Sequence, residues 1–216
     1  GREALAHPAR GRGAKIAEEM GMALTVEPIP RAQLDHALAD VARLRITVFR
    51  SFPYLYDGDL AYEERYLQAY RDSPDALIVG AWDGDRLVGA ATGAPMRDHT
   101  DEFAEAFAGT GYDLDTLFYC AESVLLPDYR GQGAGHAFFD HREAQARRLG
   151  QAHACFCSVI RPPDHPARPA DYAPLDPFWR KRGYRPLEGV VAHFPWKDIG
   201  EPEETEKPLQ FWIRAL

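Results

Sequence analysis

The chain has 216 residues, 45% hydrophobic and 27% charged, with a formal net charge of −8. This fits one domain of ordinary size that buries its own core without metal or disulfide staples, and no apolar run reaches the ~20 residues that a membrane span requires. The excess of acid argues against a broad nucleic-acid surface and leans toward cationic small partners. Cys120, Cys155 and Cys157 lie in apolar, strand-like stretches and read as small buried hydrophobes of a reducing compartment, the cytoplasm by default. Cys155-x-Cys157 lacks the two-residue spacer of a zinc knuckle or redox motif, so no metal is expected.

Residues 1–21 are dominated by Gly, Arg, Ala and Lys without an apolar core, which excludes a secretory signal. They read as a leader or arm that need not be native, with Met20 and Met22 as alternative starts, and 22–216 read as one domain. A short strand is expected at Leu24–Glu27. Leu34, Ala37, Leu38, Val41, Leu44 and Val48 then recur at helical spacing. A second helix runs from Asp59, as N-cap, to Tyr70, with Tyr62, Tyr66 and Tyr70 on one face. The connecting loop holds Tyr54, Tyr56, Asp57 and Asp59.

Ala76–Trp82 and Leu87–Thr92 flank Asp83-Gly84, a hairpin signal. A small helix is expected over His99–Phe107 and a nearly continuous apolar strand over Leu117–Leu126. Within it Glu122 stands out, because strict alternation places it beside the apolar Cys120, Val124 and Leu126. Desolvation there would make its carboxylate a useful base; pairing with a buried Arg is the structural alternative.

Arg130-Gly131-Gln132-Gly133-Ala134-Gly135 follows, before a helix that reaches about Leu149 with Ala134, Ala137, Phe138, Phe139 and Ala146 as its buried stripe. Closely spaced glycines ahead of a helix N-terminus suit a pyrophosphate. No Gly-Lys-Ser/Thr follows, and the full Gly-x-Gly-x-x-Gly is missing, so the P-loop and dinucleotide fingerprints do not apply. His136, Asp140 and His141 read as a solvated helix face. Ala152–Ile160 is the next strand, Arg161–Pro174 is a proline-rich loop, and Pro177–Arg182 is a short helix stopped by Gly183. Val190–Phe194 and Leu209–Ile213 close the fold around an acidic loop at 198–206, the last strand either pairing across a homodimer or having its edge covered by the same chain.

Arg130-x-x-Gly133-x-Gly135, entered from Val124-Leu125-Leu126-Pro127-Asp128-Tyr129, resembles the (Gln/Arg)-x-x-Gly-x-(Gly/Ala) signature of the GNAT superfamily of acyl-CoA-dependent N-acetyltransferases. Phe178-Trp179-Arg180-Lys181-Arg182-Gly183-Tyr184 resembles its late Phe-Tyr-x-x-x-Gly-Phe segment. The element order agrees over about Leu24–Leu216. The resemblance implies an α/β fold with a mixed, mostly antiparallel twisted sheet flanked by helices, whose strands splay at the acyl-CoA cleft.

It further implies acetyl-CoA as cosubstrate, with no metal. The cosubstrate would be held by Arg130, Gly131, Gln132, Gly133, Ala134 and Gly135, by the main chain of Leu125, and by packing on Trp179 where that ring does not serve the core, the reading favoured for it. Direct transfer would follow to the amine of a small, cationic acceptor walled by Tyr54, Tyr56 and Asp57, with Glu122 as base. Trp179 stands where the superfamily often has an acidic Tyr, and indole cannot supply a proton; Tyr172 is the first substitute, ahead of Tyr184 or solvent. An acyl-CoA-binding module without turnover and a protein or peptide lysine N-acetyltransferase are the alternatives. No nucleic-acid or membrane partner is expected.

Overall fold

Alternating side chains of β2 (Leu77–Asp83) face two different cores: Ile78 and Trp82 meet one set of helices, Val79 and Ala81 another. That two-sided burial marks an interior strand, and the computed structural model, which describes residues 24–216, places it inside a seven-stranded sheet. The expected leader at 1–21 lies outside the described residues. The other strands are β1 (Leu24–Pro28), β3 (Arg86–Pro95), β4 (Leu117–Leu125), β5 (His153–Val159), β6 (Arg185–Trp196) and β7 (Thr205–Ala215), in the spatial order β1-β2-β3-β4-β5-β7-β6. All neighbours are antiparallel except β4 and β5. The sheet is therefore mixed and mostly antiparallel, as the resemblance implies.

Helix α1 (Leu34–Phe49) uses its apolar stripe and α2 (Leu60–Asp72) uses Leu67 and Tyr70 to cover one face of β2 and β3. Asp59 caps α2, its Oδ1 accepting from the main-chain N–H of Ala61 at 2.8 Å and Tyr62 at 3.3 Å. On the opposite face α4 (Ala134–Arg148) buries Phe138 and Phe139. Helix α3 (Thr100–Phe107) packs Phe103 and Phe107 on Phe211 of β7, and α5 (Asp176–Lys181) precedes β6. Among the described residues no helix is long and apolar enough to cross a membrane.

Two expectations change. The closing strands are much longer than Val190–Phe194 and Leu209–Ile213, because β6 runs through Pro186, Gly189 and Pro195, residues that obscure strand periodicity and that an edge strand tolerates. β7 lies between β5 and β6, with Ile213 opposite both Cys155 and Arg185. It is not an edge, because β6 of the same chain covers it, so of the two readings the same-chain one holds and the pairing of β7 across a dimer does not; β6 is the edge at that end of the sheet.

The parallel register of β4 and β5 joins only Leu117–Tyr119 to His153–Cys155. Beyond it β4 continues to Leu125 and β5 to Val159 without pairing each other. This V-shaped gap in the sheet organises the site.

Candidate active site

One rim of the gap is made by the glycine loop. Gly131 and Gly133 have φ of +82° and +85°, in the left-handed region that side chains strain to occupy, and both face open space. Gly133 is the N-cap of α4 and no side chain caps that end, so the first-turn N–H groups remain free for an anion. Gly135 has a second role: a Cβ there would lie 3.3 Å from the Phe178 ring, so its hydrogen lets α5 approach α4. Leu126 donates its N–H to Val88 of β3, and strand alternation therefore turns the main chain of Leu125 away from β3. The Leu125 carbonyl accepts from Arg130 Nη2 at 3.3 Å, which brings Arg130 to the gap.

The β4 strand departs from ideal geometry where the chemistry is expected. Ala91 pairs with Ser123 and Gly93 with Cys120, so Thr92 alone opposes Ala121 and Glu122. Two residues against one is a β-bulge. Buried Arg142 of α4 closes it, Nη1 donating to the carbonyls of Thr92 (3.2 Å) and Glu122 (3.0 Å) and Nη2 to Ser123 Oγ (2.8 Å). Cys120 stays on the α4 face with Phe139, whereas Glu122 turns to the α1–α2 face with Val124. The alternation that put Cys120 beside Glu122 is thus corrected: the extra residue reverses the facing of the strand.

Glu122, with a side chain 10% exposed, does not sit among apolar neighbours alone. Arg45 of α1 forms ion pairs with Glu122 and with the fully buried Glu63 of α2. Tyr66 donates to Glu122 Oε2 at 3.0 Å and Tyr56 to Glu63 Oε1 at 2.8 Å. The Arg45 guanidinium lies 4.6 Å from the Tyr66 ring centroid and 5.2 Å from that of Phe49. Burial opposes its charge, but Glu122, Tyr66 and Glu63 together outweigh burial and hold its pKa well above the ordinary value. Arg45 and Glu63 escaped sequence reading because each sits at the margin of an otherwise apolar helix face.

The loop between α1 and α2 forms the opposite wall. Arg161, just after β5, donates to the carbonyls of Pro53 (2.7 Å) and Tyr54 (2.8 Å) while pairing with Asp198. Trp196 Nε1 donates to the Tyr54 carbonyl at 3.1 Å. Between Tyr54 and Tyr56, Leu55 holds a strained φ of +55°, fixed by its own N–H on Ser51 and by the Ile199 N–H on its carbonyl. Burial, then Cys157, pushes the Tyr54 phenol up, so it stays a neutral donor; Tyr172 and Glu122 also act on it. Asp57 lies 3.3 Å from Lys197 and 3.9 Å from Arg50, so its charge is already matched.

Tyr172 packs edge-on against Phe52 at 4.8 Å on this wall, half-buried. Trp179 meets Phe156 and Trp212 at 4.9 and 5.1 Å, within the aromatic cluster on the α4 side. Tyr184 is buried in the same cluster. Burial raises the Cys157 thiol to about 12, which keeps it protonated and unsuited to nucleophilic attack. Asp140 pairs with Arg182, His136 contacts Arg182, and His141 bonds the Val26 carbonyl. His136 and Asp140 thus tie α4 to Arg182 at the end of α5, and His141 ties it to β1, so the three are structural contacts rather than the solvated face expected.

A splayed parallel pair, a left-handed glycine loop at an uncapped helix and a bulged strand carrying a carboxylate thus meet at one gap in the sheet. The chain belongs to the acetyltransferase (GNAT) family, whose pattern it matches over residues 43–170. It is similar in fold to yncA of Salmonella typhimurium, solved with acetyl-CoA: 14% identity, 90% of this chain and 94% of that one, TM-score 0.56. It is likewise similar to a ribosomal-protein-alanine N-acetyltransferase of Brucella melitensis, with 13% identity, 89% and 99% coverage and a TM-score of 0.56. A Drosophila melanogaster polyamine N-acetyltransferase shares 10% identity over 89% of this chain and all of that one, with a TM-score of 0.55. No curated protein matches the chain.

Proposed function

We propose that this protein is an acetyl-CoA-dependent N-acetyltransferase that transfers the acetyl group directly to a small cationic amine. The observation that carries the acceptor class is the buried Glu63–Arg45–Glu122 group, two carboxylates around one guanidinium, whose surplus negative charge favours an arriving ammonium. The cation preference thus rests on Glu122 and Glu63, since Asp57 is matched by Lys197 and Arg50. Acetyl-CoA fits the glycine loop, where open space and free N–H groups meet, and supplies the activated acyl group when bound.

The roles of this chain's residues follow from their places. Gln132–Gly135 would bind the pyrophosphate through main-chain N–H groups, with Arg130 beside them and Gly131 giving the turn. Leu125 would pair with the pantetheine arm through its outward main chain. Glu122 accepts the acceptor's proton and frees the nitrogen lone pair. Tyr54 and Tyr56 wall the amine, and Tyr172 and Tyr54, both held neutral by burial, are the proton donors available on the β5 side. Trp179 packs on Phe156 and Trp212 on the α4 face, the place of a core residue. With Cys157 protonated, no acyl-enzyme is required.

Release of free CoA across a panel of diamines, polyamines, neutral nucleophiles and lysine peptides tests the reading. Turnover with the small cationic amines is expected. Tight acetyl-CoA binding with no turnover on any acceptor would instead identify a binding module, and preference for the peptides would move the acceptor to protein lysine.

A further inference from the structure

We propose that Arg45 is the positioning residue of the reaction, setting the charge and direction of the Glu122 carboxylate by dividing one guanidinium between Glu122 and Glu63. The proposal rests on the reading of Glu122 as base.

A guanidinium committed to one carboxylate would hold it firmly ionised and make it a poor proton acceptor. Here the fork is split. Arg45 Nη1 meets Glu122, while Nε and Nη2 meet Glu63, which is fully buried and also accepts from Tyr56. Glu63 therefore competes for Arg45 and leaves Glu122 a carboxylate with spare capacity. The rings of Tyr66 and Phe49 fix the plane of the guanidinium, and Tyr66 fixes the second Glu122 oxygen. The bulge supplies the other constraint, since Arg142 holds the Glu122 carbonyl from the far face.

The groups around Glu122 come from every neighbouring element: Arg45 from α1, Tyr66 and Tyr70 from α2, Tyr54 from the loop, Tyr119 from β4, Cys157 from β5 and, behind the main chain, Arg142 from α4. Burial raises all four phenols and the thiol, so they stay neutral near neutral pH. Of the charged groups, Arg45 touches the Glu122 carboxylate and links it to Glu63, whereas Arg142 meets only the Glu122 carbonyl.

The test compares wild type, Glu63→Gln, Arg45→Met and Arg45→Lys by the acid limb of kcat/KM against pH and by carboxyl carbon NMR titration of Glu122 in the free enzyme. Glu63→Gln should commit Arg45 to Glu122 and move both readouts to lower pH. Arg45→Met should leave two facing carboxylates and move both to higher pH by about one pH unit or more. Arg45→Lys, charged but unable to fork, should fall between Arg45→Met and wild type. Readouts that coincide with wild type in the folded variants would overturn the proposal, and if the Arg45 variants do not fold, Glu63→Gln decides alone. Glu122→Gln measured alongside separates the two readings: full activity there removes the base assignment, whereas the NMR titration judges the sharing of Arg45 by itself.

Discussion

The two rims of the β4–β5 gap are built from different materials. The proposed cosubstrate rim is main chain: two left-handed glycines, an uncapped helix end and an outward-facing strand segment contributed by the contiguous residues 125–135. The proposed acceptor rim is side chain: Arg45, Glu63 and Glu122 arrive from three separate elements and Arg161 from the segment after β5, and all are held by ion pairs. A backbone site is local in sequence and tolerant of side-chain identity, whereas a charge network is non-local and fails when one partner is lost. The family match at 43–170 spans both rims, and the proposed acceptor lies against the second.

The sharpest way to break this contrast is Glu122→Gln. It should lower kcat/KM by roughly 10²–10⁴ at neutral pH with acetyl-CoA affinity unchanged in calorimetry. Loss of acetyl-CoA binding would show that the rims are not separable. The mirror experiment is Gly133→Val, where a branched residue must adopt a φ of +85°. A strain of about 1–3 kcal/mol should weaken acetyl-CoA binding roughly tenfold or more while leaving the Glu122 network intact. Unchanged affinity in a folded variant would remove the pyrophosphate assignment.

Arg161→Met sharpens the acceptor side. It frees the Pro53 carbonyl and leaves the Tyr54 carbonyl to Trp196 and Asp198 to Trp196 and Lys207, so the wall loosens and acceptor KM should rise by roughly tenfold with little change in acetyl-CoA affinity. The smallest effect expected lies outside both rims. Hydrogen bonding from Lys207, then from the Asp198 N–H, lowers Glu201 from its ordinary 4.5 to about 2. A depressed carboxyl stabilises the fold above its unfolded value and loses that contribution as pH falls through its folded one. Glu201→Gln should therefore flatten the decline of Tm between pH 4.5 and 2, and only modestly, because the Glu201 carboxylate stays partly exposed although Lys207 is buried.

Legibility followed the same division. The glycine loop, the Asp59 cap, the α1 stripe and the hairpin could be read because each is a local pattern with a local cause. Glu122 could be read as an anomaly in an apolar strand, but its facing could not, since the bulge that turns it depends on Thr92 of β3 and Arg142 of α4. Arg45 and Glu63 carried the same kind of signal, a charge bordering a buried helical face, and their meaning emerges only when α1, α2 and β4 are brought together. The place of β7 between β5 and β6 is a long-range pairing that no local pattern records.

A crystal structure with acetyl-CoA tests the central claim most directly. The account predicts the pyrophosphate within hydrogen-bonding distance of the main-chain N–H groups of Gln132–Gly135, the pantetheine arm along Leu125 in the gap between β4 and β5, and the thioester facing Glu122. Pyrophosphate bound away from the α4 N-terminus, or a thioester screened from Glu122, would contradict it.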